Sequence, residues 1–492
     1  MIKQLIRIYT SQTDDVKGLA KGFFWSVFGS VLSRVLLFLG WILMARILGK
    51  ELYGEYGLIR NTILMFATFA GFGMGITGMK FVAQWIGTDK ERAGRVASLT
   101  LSFSSILGII ITMCVILFSD IIAENILKAP WLKDEFIISA FILLFCAYNG
   151  AQIGILNGLK KFKEVAKVQL WNAVISLPFF VIGAYMGVLW SVVAYAISNL
   201  LLCIQCAYYI QQAEKSDEIK IEYISGWKEW RLLYKYSLPA TLSGLMVMPV
   251  KWVSEVMLVN SSGFAAMGIF SAVLTINIIV AALANTMTSP FISFMSSSKS
   301  DSDVIGKLNM LAPWFLGLII CIPFLCFPQI GGWLFGKDYQ GDFFNEAFVY
   351  VILFTIVIMY TQGFSLILAV NNMQWMGFCS NFIWAVLLLG SFYFLKDKGA
   401  VGLAISYCIA YIMVTIITYP IYIKRKLVSI EFIFSRHVGM LWGIIAILIC
   451  LSYIEMHWGG RVLYFIVSTL LIIVTFKNMM KSNVNYSIVN NK

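Results

Sequence analysis

The sequence predicts an all-α polytopic membrane protein, and three observations lead there. Of 492 residues, 60% are hydrophobic and only 13% charged, with a mean hydropathy of +0.83, so the chain carries more apolar surface than a soluble core can enclose. Apolar runs recur from Phe23 to Phe476, each near the roughly 20 residues that a helix needs to cross hydrocarbon. Basic residues gather in alternate connections between those runs, as expected when they stay on one side of a bilayer.

Counted in order, the runs predict about fourteen transmembrane helices. They fall near residues 20–45, 56–86, 95–119, 136–158, 168–186, 188–211, 236–260, 266–297, 309–330, 346–370, 376–395, 399–423, 437–455 and 460–479. The stretch Met1 to Lys21 is polar, and the first apolar run lacks a small-residue cleavage site, so that run is expected to remain as a helix. With the N-terminus inside, about 25 Lys and Arg fall on the cytoplasmic side and about 8 outside. Lys160, Lys161 and Lys163, the segment Lys215 to Lys235, and Lys424-Arg425-Lys426 are the strongest inside markers. Both termini are then cytoplasmic, and the cytoplasmic (inner) membrane is the expected location.

A net charge of +12 raises the question of nucleic acid. A binder would collect its basic residues on one folded surface, whereas these are spread over short loops, so no nucleic-acid partner is expected. All nine cysteines lie in apolar runs and read as small core side chains; the pair Cys203 and Cys206 reads the same way.

The chain repeats itself. Gly49-Lys50-Glu51-Leu52-Tyr53-Gly54-Glu55-Tyr56 is echoed by Gly263-Phe264-Ala265-Ala266-Met267-Gly268-Ile269-Phe270, about 214 residues later. Gly187 with Ala194-Tyr195-Ala196-Ile197 is echoed by Gly399 with Ser406-Tyr407-Cys408-Ile409, about 212 later. Six helices separate equivalent points, and an even number restores orientation, so two parallel six-helix bundles related by an axis along the membrane normal are expected. The expected divisions are an N-terminal bundle over 1–211, a cytoplasmic linker over 212–233, a C-terminal bundle over 234–426, and two additional helices with a tail over 427–492. In the linker, Ile219-Lys220-Ile221-Glu222 and then Trp227, Trp230, Leu233 and Tyr234 suit either an amphipathic helix on the membrane surface or a plain charged connection. Two bundles of like orientation with a cavity between them suit alternating access.

Several segments also resemble those of polysaccharide-export flippases. Leu48-Gly49 with Tyr53-Gly54-Glu55-Tyr56-Gly57-Leu58 is similar to the signature after their first helix, and Ile155-Leu156-Asn157-Gly158-Leu159-Lys160-Lys161-Phe162-Lys163 to the loop after their fourth. Tyr236-Ser237-Leu238-Pro239-Ala240 resembles the start of their seventh. Leu334-Phe335-Gly336-Lys337-Asp338-Tyr339 and the stretch from Gln374 to Trp384 resemble the C-terminal half of O-antigen (Wzx-like) flippases. Over about 400 residues the order and spacing place the chain with the multidrug/oligosaccharidyl-lipid/polysaccharide exporter superfamily. That resemblance implies a MATE-like fold. It also implies translocation of a polyprenyl-pyrophosphate-linked oligosaccharide repeat unit for O-antigen or another surface polysaccharide, beside a polymerase and chain-length machinery.

An anionic pyrophosphate and a polar glycan would need a wet, basic chamber. Four basic residues fall in predicted spans: Arg34, Arg60, Lys80 and Lys251. A charge at the bilayer centre costs roughly 2.5–3.5 kcal/mol on insertion scales, so such groups are expected to face a cavity or a partner. Arg34 and Lys251 are mid-span in the opening helices of the two repeats and are the leading substrate-binding candidates, with a purely structural tie as the alternative. Arg60 and Lys80 either serve the substrate or snorkel to an interface. Lys251 and Glu255 stand one helical turn apart. They form either a static bridge or a switch in which Glu255 binds H⁺ or Na⁺ and releases Lys251. Asn172 and Asn381 are candidate glycan contacts; Trp25, Trp252 and Trp384 read as belt or packing residues. Pro239, Pro249 and Pro290 predict kinks, and Gly71-Phe72-Gly73-Met74-Gly75 predicts close packing or bending.

No enzyme is expected. External loops are short, no carboxylate pair there has an acid/base setting, and His437 and His457 are too far apart in sequence to suggest a metal site. No phosphate-binding GKS or GKT loop appears, so neither a cofactor nor nucleotide hydrolysis is expected. Two alternatives remain: a MATE-type ion-coupled multidrug antiporter and a non-transporting membrane scaffold for polysaccharide assembly.

Overall fold

In hydrocarbon every backbone N–H and C=O must find its partner within the protein, which leaves helices as the form for apolar runs of this length. A computed structural model describes residues 14–222, 225–238, 246–297, 302–370, 373–454 and 457–481, and no β-strand occurs among them. Pro239 and Ala240, and the side chains of Trp25 and Pro290, lie outside the described residues. The helices are α1 (Asp14–Gly71), α2 (Met74–Trp85), α3 (Lys90–Leu117), α4 (Lys133–Gly158), α5 (Phe162–Met186), α6 (Val188–Asp217), α7 (Val247–Ser297) and α8 (Ser302–Cys326). They continue with α9 (Gln329–Phe335), α10 (Asp342–Val370), α11 (Gln374–Leu395), α12 (Gly399–Lys424), α13 (Glu431–Phe434), α14 (Arg436–Ser452) and α15 (Trp458–Lys481).

Among the described residues, 10 helical stretches are long and apolar enough to cross a membrane. Three of them, Gly29–Trp85, Val247–Asn285 and Trp375–Lys424, are 57, 39 and 50 residues long and each hold two crossings. With the shorter apolar helix α14, this is compatible with the fourteen expected. The chain divides into two compact units, one made of Met1–Gly40 and Ile59–Leu242 and the other of Trp41–Leu58 and Ser243–Lys492. Residues 41–58 thus count with the second unit.

In the first unit α5 and α4 pack on α6, while α2 and α3 pack on α4. The α2–α4 crossing is glycine on glycine. A Cβ on Gly75 would stand 2.7 Å from the Gly150 carbonyl oxygen, and one on Gly154 would overlap the Gly75 carbonyl. Helices brought this close gain van der Waals contact that lipid does not offer. Bending is there as well, one step earlier: Phe72 and Gly73 take φ 40° and 66° and separate α1 from α2. A row of amides ties α4 to α6, with Asn149 Nδ2 donating to the Asn199 carbonyl and Gln152 Nε2 to that of Cys203, both at 3.1 Å.

Where the linker suits an amphipathic helix, its described residues do something else. α6 runs on to Asp217, Glu218 turns the chain with φ 54°, and beyond an irregular stretch come a 3₁₀ turn at Ser225–Glu229 and a π turn at Leu233–Ser237. The reason is contact with α3: Gly94 lies under the Lys220 carbonyl, Gly226 lies on the backbone of Arg95 and Leu99, and Ser98 Oγ donates to the Glu222 carbonyl.

In the second unit α10 packs on α8, α12 and α7, α11 packs on α12, and α14 and α15 pack on α8. Arg461, at the start of α15, is another buried cation in an apolar helix, 9% exposed. Its guanidinium donates to the carbonyls of Cys326 at 3.0 Å and Ile454 at 3.2 Å. Arg461→Met should therefore leave these carbonyls unsatisfied and cost about 1–3 kcal/mol, read as a lowered Tm of the purified chain. All nine cysteines are free; Cys203 and Cys206 are buried, whereas Cys114, Cys379 and Cys450 sit on exposed helix faces rather than in a core.

Candidate functional site

The repeat glycines place the first set of contacts. Gly49 breaks α1 with φ 73° and ψ 174°, and Gly263 breaks α7 with φ 81° and ψ 176°, so the echoed motif is the same left-handed elbow made twice. After each elbow a second glycine opens a crossing inside the second unit. A Cβ on Gly54 would overlap the Phe264 carbonyl, one on Gly268 the Lys50 carbonyl, and one on Gly57 the Ser271 hydroxyl. The elbow is fixed further by Arg46, whose Nε and Nη2 donate to the carbonyls of Leu334 (2.6 Å) and Trp333 (2.5 Å) at the C-terminal end of α9. A cation at that end answers the partial negative charge of the helix. Arg46 is thus a helix cap.

Glu255 lies on the first arm of α7 and is 3% exposed. It acts electrostatically on Lys251, one turn earlier, and on Tyr407 of α12. Ser254 Oγ donates to the Lys251 carbonyl at 2.7 Å. Around Tyr407 stand Phe270, Phe354, Trp384 and Tyr411, with ring centroids 5.1 to 6.3 Å away. Asn277 of α7 donates to Thr355 of α10 at 3.0 Å, adding a polar link in the same unit. Lys251 is half-buried. The structure therefore brings Lys251 and Glu255 together and adds Tyr407, which the sequence singled out only as a repeat position.

In the first unit, Arg34 is half-buried, and its Nε has no hydrogen-bond partner among the described residues. Its helix lies on α5, through Ser30 Oγ donating to Gln169 at 3.1 Å and Gly29 against Ala166. Arg60 is 4% exposed; its Nε and Nη2 stand 3.4 Å from Asn61 Oδ1, and it acts electrostatically on Tyr195 of α6. Tyr195 and Tyr407 are equivalent in the repeat, so one faces a buried cation and the other a buried anion. Asn172 is buried, donating to Ser198 Oγ at 3.4 Å beside the Ser176–Ser198 bond at 2.6 Å.

Lys80 is exposed, with Nζ 3.9 Å from the centre of the Tyr236 ring, a cation–π contact. Asn381 is half-buried on α11, one residue after Ser380, which bonds Tyr422 at 3.1 Å. No cluster of three or more metal-liganding side chains occurs among the described residues. The amide row Asn149 and Gln152 was missed. Its signal was present as two amides three apart in an otherwise apolar run.

Buried cations on helices of this arrangement meet a clear family match: residues 19–296 fit the family described as polysaccharide biosynthesis protein. The chain belongs to the polysaccharide biosynthesis protein family. It is 21% identical over 456 residues to stage V sporulation protein B of Bacillus subtilis (strain 168), covering 84% of this chain and 86% of that one. It superposes on an inward-facing multidrug resistance MATE family transporter of the MOP superfamily with TM-score 0.63 at 15% identity, covering 80% of this chain and 94% of the other. A MOP superfamily transporter from Pyrococcus furiosus Vc1 (DSM3638) superposes with TM-score 0.61 at 16% identity, over 83% of this chain and 96% of that one. The fold of this family member is MATE-like, and its many long apolar helices are those of a multi-pass membrane protein.

Proposed function

We propose that this polysaccharide biosynthesis family member is a flippase that carries a polyprenyl-pyrophosphate-linked oligosaccharide across the cytoplasmic membrane by alternating access, for O-antigen or another surface polysaccharide. The observation that carries the reading is the set of basic side chains held within spanning helices, Arg34, Arg60 and Lys251, in a chain of this family. Positive charge is costly in hydrocarbon and is repaid by an anionic headgroup. A chamber for cationic drugs would favour acidic groups instead, and a scaffold without transport gains nothing from a basic group such as Arg34, whose buried Nε meets no hydrogen-bond partner among the described residues. Lys80 belongs with the basic set from an exposed position, and Asn172 and Asn381 are the amides proposed to meet the glycan. A polymerase and chain-length machinery are the proposed partners, and both termini are proposed to be cytoplasmic.

The deciding experiment is disruption in the host. Undecorated lipid-linked repeat units should accumulate on the cytoplasmic leaflet; normal surface polysaccharide with no accumulation would remove the reading. Glu255 is the proposed coupling group. Its surroundings support that role, because a carboxylate 3% exposed in a spanning helix, with Lys251 one turn away, is costly to keep charged without a partner. Glu255→Gln should abolish the dependence of transport on a proton or Na⁺ gradient, measured in reconstituted vesicles with each gradient imposed separately. An unchanged response to both would take the ion away from this residue.

A further inference from the structure

The linker between α6 and α7 is not used by the transport reading, and its buried and exposed side chains differ in charge. Part of the linker is pinned to the first unit. Glu229 accepts from Arg92 Nε at 3.1 Å and Nη2 at 3.3 Å and lies 3.6 Å from Arg95 Nε. Arg92 in turn lies 3.9 Å above the Trp85 ring, and Gly226 rests on the α3 backbone. Glu229 is the sole acidic residue between Ser225 and Leu238, and it is turned inward, its side chain 13% exposed. The exposed side chains carry uncompensated positive charge: Lys228, Arg231 and Lys235 are exposed and form no ion pair among the described residues. Between them stand Trp227, Trp230 and Tyr234, which are 40%, 52% and 46% exposed.

Depth orders these groups. α3 is a spanning helix whose charged start, Lys90 to Arg95, marks its polar end. Phe103 lies eight residues further along, about 12 Å at helical rise, and Trp227 meets its ring at 6.4 Å. Trp227 therefore reaches toward hydrocarbon, while Glu229, two residues on, is held at the polar end by Arg92 and Arg95. Tryptophan and tyrosine favour that boundary, and juxtamembrane Lys and Arg favour anionic lipid.

We infer that Trp227, Lys228, Trp230, Arg231, Tyr234 and Lys235 form a docking surface for the headgroups of anionic phospholipids, held rigid against α3 by Glu229. The surface selects charge: phosphatidylglycerol binds and phosphatidylcholine does not. The inference does not rest on the identity of the transported substrate.

The test uses the purified full chain in neutral detergent, titrated with phosphatidylglycerol or phosphatidylcholine and read by native mass spectrometry. Each basic residue near an anionic surface is worth about a five-fold factor. The triple substitution Lys228→Gln, Arg231→Gln, Lys235→Gln should thus weaken the tightest phosphatidylglycerol binding by on the order of 100-fold and leave phosphatidylcholine unchanged. The three single variants should each lose about five-fold, which keeps the test valid if the triple variant does not purify. A control triple, Lys424→Gln, Arg425→Gln, Lys426→Gln in the second unit, should keep the tightest binding. Equal binding of the two lipids, equal loss in the control, or wild-type binding in the linker variants would overturn the inference. Displacement by millimolar inorganic phosphate would overturn it too, because the surface would then read phosphate alone rather than a lipid.

Discussion

Gly268→Leu is expected to abolish the folded second unit. A Cβ at this position would fall on the Lys50 carbonyl oxygen and close to the Lys50 Cα, 3.1 Å away, so the obstruction is backbone and no side-chain rotation relieves it. Overpacking against movable side chains costs typically 1–3 kcal/mol, and the cost here should exceed about 3 kcal/mol, a large share of the 5–15 kcal/mol that holds a typical protein folded. Gly54→Leu should behave alike, since its Cβ would fall on the Phe264 carbonyl with the Phe264 carbon 2.9 Å away. Gly390→Ala is the control, because nothing stands within 4 Å of its Cβ. It should be neutral or slightly stabilising, as expected for glycine replaced by alanine in an open helical position. The measurement is the amount of monodisperse protein recovered from membranes after a heating series. Recovery of Gly268→Leu at the wild-type level would show that the crossing yields without cost.

The repeat was legible in the sequence because both halves need the same backbone at the same place. An elbow at positive φ and a helix crossing at carbonyl contact each admit only glycine, so Gly49 with Gly54 and Gly263 with Gly268 stand out whatever surrounds them. The helical, membrane-spanning class was legible for a related reason: hydropathy reports the solvent of a segment, and hydrocarbon demands a fixed length of apolar helix. Helix ends were less so. The run expected over 188–211 continues to Asp217, and the run expected over 309–330 ends at Cys326, followed by the separate short helix α9.

What hydropathy cannot report is which face meets which neighbour. Arg46 caps α9, nearly 290 residues away along the chain, a contact that no local pattern announces. The linker suits either an amphipathic helix or a plain charged connection; its described residues instead make two short turns, with Glu229 and Gly226 spent on α3, contacts that depend on a partner surface invisible to a one-dimensional pattern. At the candidate site, the charged positions could be named from their cost in hydrocarbon. Tyr407 could not, because an aromatic in an apolar run is ordinary until Glu255 is found beside it.

Lys251→Met and Arg34→Met should each abolish export while the protein remains folded. Methionine keeps most of the side-chain volume and removes the charge, so the two roles open to a buried cation separate. If Lys251 and Arg34 only tie helices together, their loss strands Glu255 in one unit or leaves a packing defect in the other, and stability falls with export. If they serve an anionic substrate, the roughly 2.5–3.5 kcal/mol charged for holding each in hydrocarbon is recovered only when substrate is bound. Removing the charge of Arg34 then leaves Tm unchanged or higher, as at other sites where function is kept at the expense of stability, whereas Lys251→Met is compared with Lys251→Met combined with Glu255→Gln so that no carboxylate is stranded. Arg34 fits this case, with a buried Nε that has no hydrogen-bond partner among the described residues. The same energy read as lost substrate attraction corresponds to a fall in transport of about 100-fold. Lys251→Arg and Arg34→Lys should recover part of it, because the charge returns with altered geometry. Export at the wild-type rate from both methionine variants, in cells with normal amounts of the protein, would place the anionic headgroup elsewhere.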